Sequence, residues 1–432
     1  ANGQDSLNGA EFPSMAVFLR EVEGEEYYLV FGPDRFRHGN ELDQDFCQIK
    51  FVAEYSLGDH LIKAGIEREE VDVNNLFAQN SEGSYVFDSV ADLQSATASG
   101  LLYNNAVTND ENDLRAIWGY DYMSMYIQDS WNVRSDLEVD FGVRYDRYAS
   151  NGSIRLNSNF VQRYGYANTT DIDGLDVVLP RLSFKWYASE STTVRGGIGR
   201  FSGGSPGVWI SNSYSNDGVI SDSSNAFGVV NVPTSPDAAT GQYIPADVLA
   251  ALSSESPDGS VNALSPDFEI PTTTKFSIGV AHQRDLGALG EDWLLSADVL
   301  HNTLDNTSYW YDQRCEQPVS TAPDGRGVYD CGDSERAPEA IVVGSFDGGE
   351  STLFALSATK EWDTKAGRFD LFASYTHADV KDIGYGTSST ATSNYSDFAA
   401  YDRQSPREGI SNFQVEHLFK MRVNWRKELV PG

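Results

Sequence analysis

Asp171, Asp173 and Asp176 are the strongest candidate metal ligands in the sequence. Carboxylates at alternate positions, with a glycine between them at position 174, are typical of a loop that binds Ca²⁺. A complete calcium loop is longer, however, and supplies a later bidentate Glu that this segment lacks. A solvated acidic loop is therefore the favoured interpretation, and Ca²⁺ binding is the lesser alternative.

Cys315 and Cys331 are the residues best placed for covalent chemistry. They lie 16 positions apart in a segment rich in Gly, Pro and Asp, which allows the chain to fold back on itself. Two thiols can form a disulfide or coordinate a soft metal, but none of the six histidines (positions 38, 60, 282, 301, 377 and 417) lies at ligand spacing from a cysteine. We therefore predict a Cys315–Cys331 disulfide and no metal site at these thiols. Cys47, in a strand-like run, is expected to stay reduced.

Catalytic motifs are missing from the chain. It has no Gly-x-Ser-x-Gly elbow, no His-Glu-x-x-His motif and no phosphate-binding loop. The run Gly196-Gly197-Ile198-Gly199 lies inside a strand-like segment, where glycines mark bends or close backbone approaches. The sequence predicts that the protein is not an enzyme and that it needs no cofactor.

The net charge limits which classes of molecule the protein can bind. With 31 Lys and Arg against 64 Asp and Glu, the net charge is −33, which repels nucleic acid. Segment 201–274 has no Lys or Arg but eight acidic residues: Asp217, Asp222, Asp237, Asp247, Glu255, Asp258, Asp267 and Glu269. This segment either attracts cations or a basic ligand, or is a solvated external loop in a salty habitat; the second interpretation is favoured.

Period-two alternation of apolar and polar residues dominates the chain. In 136–146, one face carries Leu137, Val139, Phe141 and Val143, and the other carries Glu138, Asp140 and Arg144. Segments 275–281 and 368–375 repeat the pattern, and a helix is indicated only at 246–253. Such a strand belongs either to a half-exposed soluble sheet or to a membrane barrel, with its apolar face toward lipid and its charges toward the interior.

Connections between the strands alternate between short and long. Short ones at 57–59, 132–136, 189–191, 285–292 and 363–367 are separated by long ones at 70–119, 149–177, 202–272, 303–351 and 378–412. Outer-membrane barrels have short periplasmic turns and long extracellular loops, whereas a soluble sandwich has no reason for this asymmetry. We predict an all-β, transmembrane antiparallel up-and-down β-barrel with eleven secure strands, and thirteen if 14–22 and 26–31 are included.

Four tryptophans lie at the ends of strands that adjoin the short connections: Trp131, Trp186, Trp293 and Trp362. Amphipathic rings at one level are typical of the aromatic girdle at the membrane surface. Ordinary core tryptophans near turns are the alternative.

The segment Tyr126-Ile-Gln-Asp-Ser-Trp131, a short turn and then Gly142-Val-Arg-Tyr-Asp146 resemble a recurrent hairpin of the TonB-dependent receptor barrel. Further similarity, in part to the Oar-like branch of that family, lies in 37–43, 58–67, 75–77, 180–184, 193–201 and 322–326. The resemblance runs from about residue 31 to residue 427.

That resemblance implies a barrel of about 22 strands with an N-terminal plug. Residues 1–432 are then expected to be a β-barrel segment from the middle of a larger receptor, with the plug domain and the C-terminal strands not present in this chain. The implied location is the Gram-negative outer membrane, in contact with its lipid and lipopolysaccharide. The implied energy source is TonB-ExbB-ExbD, acting through segments absent here.

The expected function is TonB-dependent movement of a large extracellular ligand across the outer membrane, without bond chemistry. The suspected ligand-binding segments are the loops 202–272 and 303–351. A passive porin or structural surface barrel is one alternative, and a secreted acidic all-β binding module is another. The sequence specifies neither the ligand nor the direction of transport.

Overall fold

The computed structural model describes residues 12–203, 206–254, 258–315, 317–331, 338–384 and 386–427. Its strands are β1 Ser14–Val22, β2 Glu25–Phe31, β3 Gly39–Leu57, β4 His60–Ala78, β5 Ser84–Phe87, β6 Thr97–Leu102, β7 Asn104–Ala106, β8 Ala116–Arg134, β9 Leu137–Ser150, β10 Asp176–Ser189, β11 Thr192–Ser202, β12 Ser221–Ser223, β13 Ala226–Asn231, β14 Val261–Leu264, β15 Thr272–Arg284, β16 Trp293–Asp305, β17 Thr307–Asp312, β18 Pro318–Thr321, β19 Gly327–Tyr329, β20 Ala340–Phe346, β21 Glu350–Thr364, β22 Gly367–Asp382, β23 Gly409–Ile410 and β24 His417–Arg426. The α-helices are α1 Val90–Gln94, α2 Ser158–Tyr164, α3 Gly207–Ser215, α4 Ala246–Ser254 and α5 Ala391–Ser396, and single 3₁₀ turns lie at Glu111–Leu114, Gly287–Leu289 and Gln313–Cys315.

Long antiparallel strands form one large sheet, here called the wall. Its order is β3-β4-β8-β9-β10-β11-β15-β16-β21-β22, and β22 also pairs with β24 and with the short β23. The eleven long strands are those that the alternation predicted, joined as an up-and-down meander. In the described part of the chain the first and last wall strands are not paired with each other. Barrel closure and the total of 22 strands therefore stay predictions.

The register of the wall separates an apolar face from a polar one. Phe141 pairs with Leu182, Leu182 with Ile198, and Ile198 with Phe276. Directly opposed residues share a face, so this row is a continuous apolar band, and each of its side chains is more than 40% exposed. The neighbouring row of Asp140, Ser183, Gly197 and Ser277 lies on the other face. The predicted division of 137–144 into two faces is confirmed.

The wall is curved toward its polar face. A cavity of about 580 Å³ is lined both by Lys50 of β3 and by Asn302 of β16. These strands are seven neighbour spacings apart, which would be roughly 34 Å in a flat sheet at ~4.8 Å per spacing. One cavity can contact both only if the sheet bends around it. The polar face is thus concave, and the apolar band lies on the convex side, where a membrane barrel meets lipid.

All five short connections lie at the same edge of the wall, and the tryptophans are on the convex face beside them. Trp131 pairs with Val139, and Trp186 pairs with Leu137, both on the apolar side. The rings of Trp293 and Trp362 meet edge to face, with centroids 5.7 Å apart. This arrangement agrees with the girdle prediction rather than with tryptophans buried in a core.

The long connections contain helices and strands of their own, and the segment before the wall is folded as well. The segments 14–22 and 26–31 do pair, as β1 and β2, but in a separate sheet of order β13-β6-β5-β1-β2. Val17 of β1 is only 1% exposed and packs in a core with Tyr85 and Phe87 of β5. The count of thirteen wall strands is therefore wrong, because the apolar residues of β1 are buried against another loop. The helix indicated at 246–253 is confirmed as α4.

No α-helix in the described ranges has both the length and the apolar character needed to cross a membrane.

His38 connects this separate sheet to the start of the wall. Its Nδ1 accepts the Glu82 backbone N–H at 3.0 Å, so its Nε2 carries the proton and faces the Ser14 hydroxyl at 2.7 Å. Ser14 in turn donates to the Pro33 carbonyl at 2.5 Å. Burial lowers the pKa of His38 from 6.5 to about 4, because the charged imidazolium would lose its hydration there.

Replacing Phe141 with Arg should lower the free energy of unfolding by roughly 2–4 kcal/mol, since the new charge would lie near the middle of the lipid-facing band. Ser357→Arg is the matched control, because Ser357 of β21 lies on the concave face, paired with Ser296 and Ser374, and does not line the cavity. That variant should change stability by about 0.5 kcal/mol or less. Chemical denaturation of the full-length protein in vesicles, followed by tryptophan fluorescence, measures both. Equal losses in the two variants would contradict the assignment of the faces.

The neutral, buried His38 should make the separate sheet sensitive to acid. A lowered pKa in the folded state means that the stabilisation is complete above about pH 6.5 and is lost as the pH falls toward about 4. The expected loss is about 3 kcal/mol of local stability. Hydrogen exchange of Ser14–Val22 at several pH values, corrected for intrinsic rates, tests this. His38→Gln keeps a donor and an acceptor without titrating, so its exchange should show no such step; an identical step in both proteins would rule out His38 as the cause.

Candidate functional site

Two cations and an aromatic ring line the concave cavity as one cluster. Arg181 of β10 and Lys275 of β15 flank Phe201 of β11. The Arg181 guanidinium carbon lies 4.5 Å from the centre of the ring, and Lys275 Nζ lies 5.3 Å from it. Both distances are typical of cation–π contacts. Among the described residues, neither cation has a carboxylate partner within ion-pair distance.

Gly199 allows this cluster to form. In the register it lies directly between Arg181 and Lys275. A Cβ at this position would be 3.1 Å from Arg181 Cγ and 3.1 Å from the edge of the Phe201 ring. The space above Gly199 is therefore filled by the ring and the arginine stem. The glycine run at 196–199, which the sequence assigned to a bend or a close approach, has a packing function here.

Arg144 lines the same cavity, but its charge is neutralised. Its guanidinium lies 2.7 Å from Asp146 and 3.6 Å from Glu67, and it donates to the Tyr122 hydroxyl at 2.8 Å. Its guanidinium carbon is also 5.9 Å from the centre of the Tyr126 ring. The cavity thus has a neutralised side at Arg144 and a cationic side at Arg181 and Lys275. The cationic side fits a carboxylate, a phosphate or an acidic protein surface.

The two suspected ligand-binding loops come together in space. Strand β14, from loop 202–272, pairs in parallel with β20 of loop 303–351, and β20 also pairs with β17. Helix α5 of connection 378–412 packs against β17 and β20. We call the described parts of connections 149–177, 202–272, 303–351 and 378–412 the cap. The shared sheet shows that the two loops lie together, and ligand binding by them stays a prediction.

The cap contacts the outer end of the concave face. Tyr214 of α3 stacks on Trp118 of β8, with ring centroids 5.1 Å apart and planes 10° apart. The Trp118 indole N–H also donates to Ser211 Oγ at 3.3 Å. Trp118 is 3% exposed, and Tyr148 of the same core is 2% exposed. The cap therefore covers the concave face on the extracellular side of the cavity, because Tyr126 lies further along β8 toward the short-connection edge.

Three connections interlock inside the cap. The Trp209 and Trp310 rings meet edge to face with centroids 4.6 Å apart. Gly386, from connection 378–412, lies against both indoles and has no space for a Cβ. The Trp209 indole N–H donates to the Ser388 carbonyl at 3.0 Å. A change in one of these loops must therefore alter the others.

Some of the acidic residues in the cap are used to join loops. Asp217 is fully buried and pairs with Arg155 at 3.0 Å, and Asp258 pairs with Arg163. Both arginines come from connection 149–177. Glu255 lies outside the described residues. Asp217 and Asp258 thus bind neighbouring segments and do not form an open cation-attracting surface.

The predicted disulfide is confirmed. Cys315 and Cys331 are bonded, with their Cα atoms 4.4 Å apart, and Cys315 is 1% exposed. Gln404 holds the same turn from the neighbouring connection, since its side-chain amide donates to the carbonyls of Asp312 at 2.5 Å and Cys315 at 3.0 Å. Cys47 is a free thiol, exposed on β3.

The three candidate calcium ligands each have a different partner. Asp171 accepts the Asp173 backbone N–H at 2.8 Å, and Asp173 accepts that of Ser150 at 3.2 Å. Asp176 accepts the Tyr145 hydroxyl at 2.9 Å. These contacts stabilise the turn before β10, and the calcium site stays a prediction.

Sequence reasoning did not identify Arg181, Lys275 and Phe201 as a group. The alternation of polar and apolar residues places each of the two cations on a polar face, but only the pairing of β10, β11 and β15 brings the three residues together.

Solved structures of outer-membrane proteins are similar to this chain. The outer membrane transporter YddB from Escherichia coli is 11% identical with a TM-score of 0.48, and the match covers 95% of this chain and 44% of that one. The alcaligin outer membrane receptor FauA from Bordetella pertussis is 12% identical with a TM-score of 0.39, covering 91% and 44%. The FrpB iron transporter from Neisseria meningitidis is 12% identical with a TM-score of 0.38, covering 79% and 36%.

The chain spans less than half the length of each of these proteins. No curated protein matches it.

A family model described as an outer membrane beta barrel domain matches residues 4–429. The exposed apolar band, the tryptophan girdle and the single edge of short connections are what such a domain requires in the Gram-negative outer membrane. The chain therefore belongs to the outer membrane beta-barrel domain family.

Proposed function

We propose that the chain forms the central wall and the extracellular cap of a TonB-dependent transporter, which moves a large ligand across the outer membrane. Transport makes and breaks no covalent bond. Displacement of an internal plug, driven through TonB, ExbB and ExbD, opens the path along the concave face. The plug and the TonB contact belong to other segments of the whole protein.

The observation that carries this proposal is the position of the cap. It packs on the concave face through Trp118 and Tyr148, on the extracellular side of the cavity. A passive porin needs a permanent water path along that face, so a covered face favours gated transport. A secreted binding module is disfavoured, since the apolar convex band of the wall needs lipid.

We assign Arg181 and Lys275 to contact with an acidic surface of the plug. Both cations lack an ion-pair partner among the described residues, although the chain carries a net charge of −33. Two cations around one aromatic ring provide a specific anchor for carboxylates. The anchor would hold the plug until TonB displaces it.

Electrical conductance of the intact protein in a planar bilayer tests the proposal. The wild-type protein should carry almost no K⁺ current, because plug and cap close the path. A steady current from the unmodified protein would instead support the passive porin.

The double variant Arg181→Glu with Lys275→Glu should open the protein to current, since it replaces attraction to an acidic plug with repulsion. Lys420→Glu with Arg422→Glu is the matched control, because it makes the same change of charge on the concave face of β24, away from the cavity. The control should stay silent. If the wild-type protein and both double variants carry no current, the result agrees with gated transport but shows that Arg181 and Lys275 are not the plug contact.

The Cys315–Cys331 bond should stabilise the cap rather than the wall. Closing a loop of about 15 residues is worth ~3 kcal/mol in the chain-entropy model. Replacing both cysteines with serine should leave folding of the wall intact and should make the 317–331 segment sensitive to protease on whole cells.

Cys47→Ser is the control and should leave proteolysis unchanged, because Cys47 is a free thiol on β3. The folded wall is followed by its resistance to denaturation by detergent on unheated gels. Loss of this resistance in the double serine variant would show that the bond is needed for the wall itself.

A further inference from the structure

His377, Glu416 and His417 bring three potential metal-ligand atoms within 4.8 Å of one another. His377 on β22 and His417 on β24 are directly opposed in the register, and their ring centroids are 5.1 Å apart. Glu416 lies in a bend just before β24, so its carboxylate reaches the same side as its neighbour, with Oε1 3.6 Å from His417 Nε2. In a regular strand these adjacent side chains would point to opposite faces.

Hydrogen bonds at the second ring nitrogens orient both imidazoles. His377 Nδ1 lies 3.2 Å from the Glu416 carbonyl, which can only accept, so Nδ1 carries the proton and Nε2 keeps its lone pair. His417 Nδ1 lies 3.0 Å from the Tyr375 hydroxyl, whose oxygen can accept in the same way. A bond of this kind at the other ring nitrogen accompanies nearly every metal-bound histidine.

The cluster lies at the boundary of the lipid-facing band. One step toward the short-connection edge, Tyr375 and Phe419 pair on the same convex face. In the opposite direction, the charged residues Asp379 and Lys381 follow on β22, and Lys381 pairs with Glu350 at 2.5 Å. The site is therefore at the level where apolar side chains give way to charges, next to the headgroups of the outer leaflet.

We propose that His377, His417 and Glu416 bind a divalent transition-metal ion, with Zn²⁺ the best fit, on the outer surface of the barrel. Two imidazole nitrogens and one carboxylate oxygen are a known zinc ligand set, with a fourth tetrahedral position left for water. Tetrahedral ligands at ~2.0–2.2 Å from zinc lie roughly 3.4 Å apart, so modest rotations of the three side chains complete the site. The ion would join β22 to β24 at the membrane boundary.

Calorimetric titration of the untagged, full-length protein in detergent with ZnCl₂ tests the proposal. One ion per chain should bind at pH 7.5. His377→Ala and His417→Ala should each weaken the affinity for Zn²⁺ by roughly 10–100-fold or more. Loss of a residue that only hydrogen-bonds to a metal ligand already costs that much, and these variants remove the ligand itself. Tyr375→Phe should weaken it by a similar factor through the orientation of His417.

His282→Ala is the matched control, since His282 is a wall histidine of β15 that hydrogen-bonds to Thr192 at 2.9 Å. It should bind zinc like the wild type. Visible absorption of bound Co²⁺ gives a second readout of the two-imidazole site that does not depend on the variants. The proposal is overturned if the wild type binds no stoichiometric Zn²⁺, or if the His377 and His417 variants bind it as tightly as the control.

Discussion

The need to satisfy every backbone N–H and C=O without water governs this structure. In hydrocarbon an unpaired peptide group is too costly, so a strand can cross the membrane only when both of its edges are paired. The meander meets this need for the wall strands between β3 and β24, each of which pairs with a neighbour on both sides, over 19 residue pairs between β3 and β4 and 15 between β21 and β22. Pairing fixes the register, and the register fixes which side chains meet lipid. The apolar band, the girdle and the concave polar face all follow from it.

The wall could be predicted from sequence because everything that determines it is local. A hairpin with a two- to eight-residue connection sets its own register, and period-two alternation then assigns the faces of Phe141 and Asp140. The cap could not be predicted in the same way. Strand β14 pairs with β20, whose partner residues Val261 and Ala340 are far apart in the chain, and neither strand shows clear alternation because both of its faces are buried. β1 was misassigned for a related reason: it alternates like a wall strand, but its apolar residues pack on β5.

The same distinction explains which site residues were found. Cys315 and Cys331 lie in one turn-rich segment, so their spacing alone indicates the disulfide. Arg181, Phe201 and Lys275 belong to three strands, and a connection of about seventy residues separates the last two. His377 and His417 are likewise neighbours across β22 and β24, although their separation along the sequence does not indicate that they lie together. Ligand sets made across strands become visible only when the register is known.

Some of the charges on the concave face are paired across neighbouring strands. Lys50 and Glu67 face each other across β3 and β4, and Arg195 reaches Asp298 at 2.6 Å over Gly279, which has no side chain in the way. The cations of both pairs are partly exposed and therefore screened, which limits the stability that each pair adds, although Glu67 itself is buried. Their effect is on the field inside the wall: cross-strand pairs cancel one another, and much of the excess negative charge of the chain lies in the cap. Arg181 and Lys275, which have no ion-pair partner among the described residues, are a local positive site beneath an acidic cover. Because the Phe201 ring contacts both cations, their positive charge is concentrated at one point of the concave face.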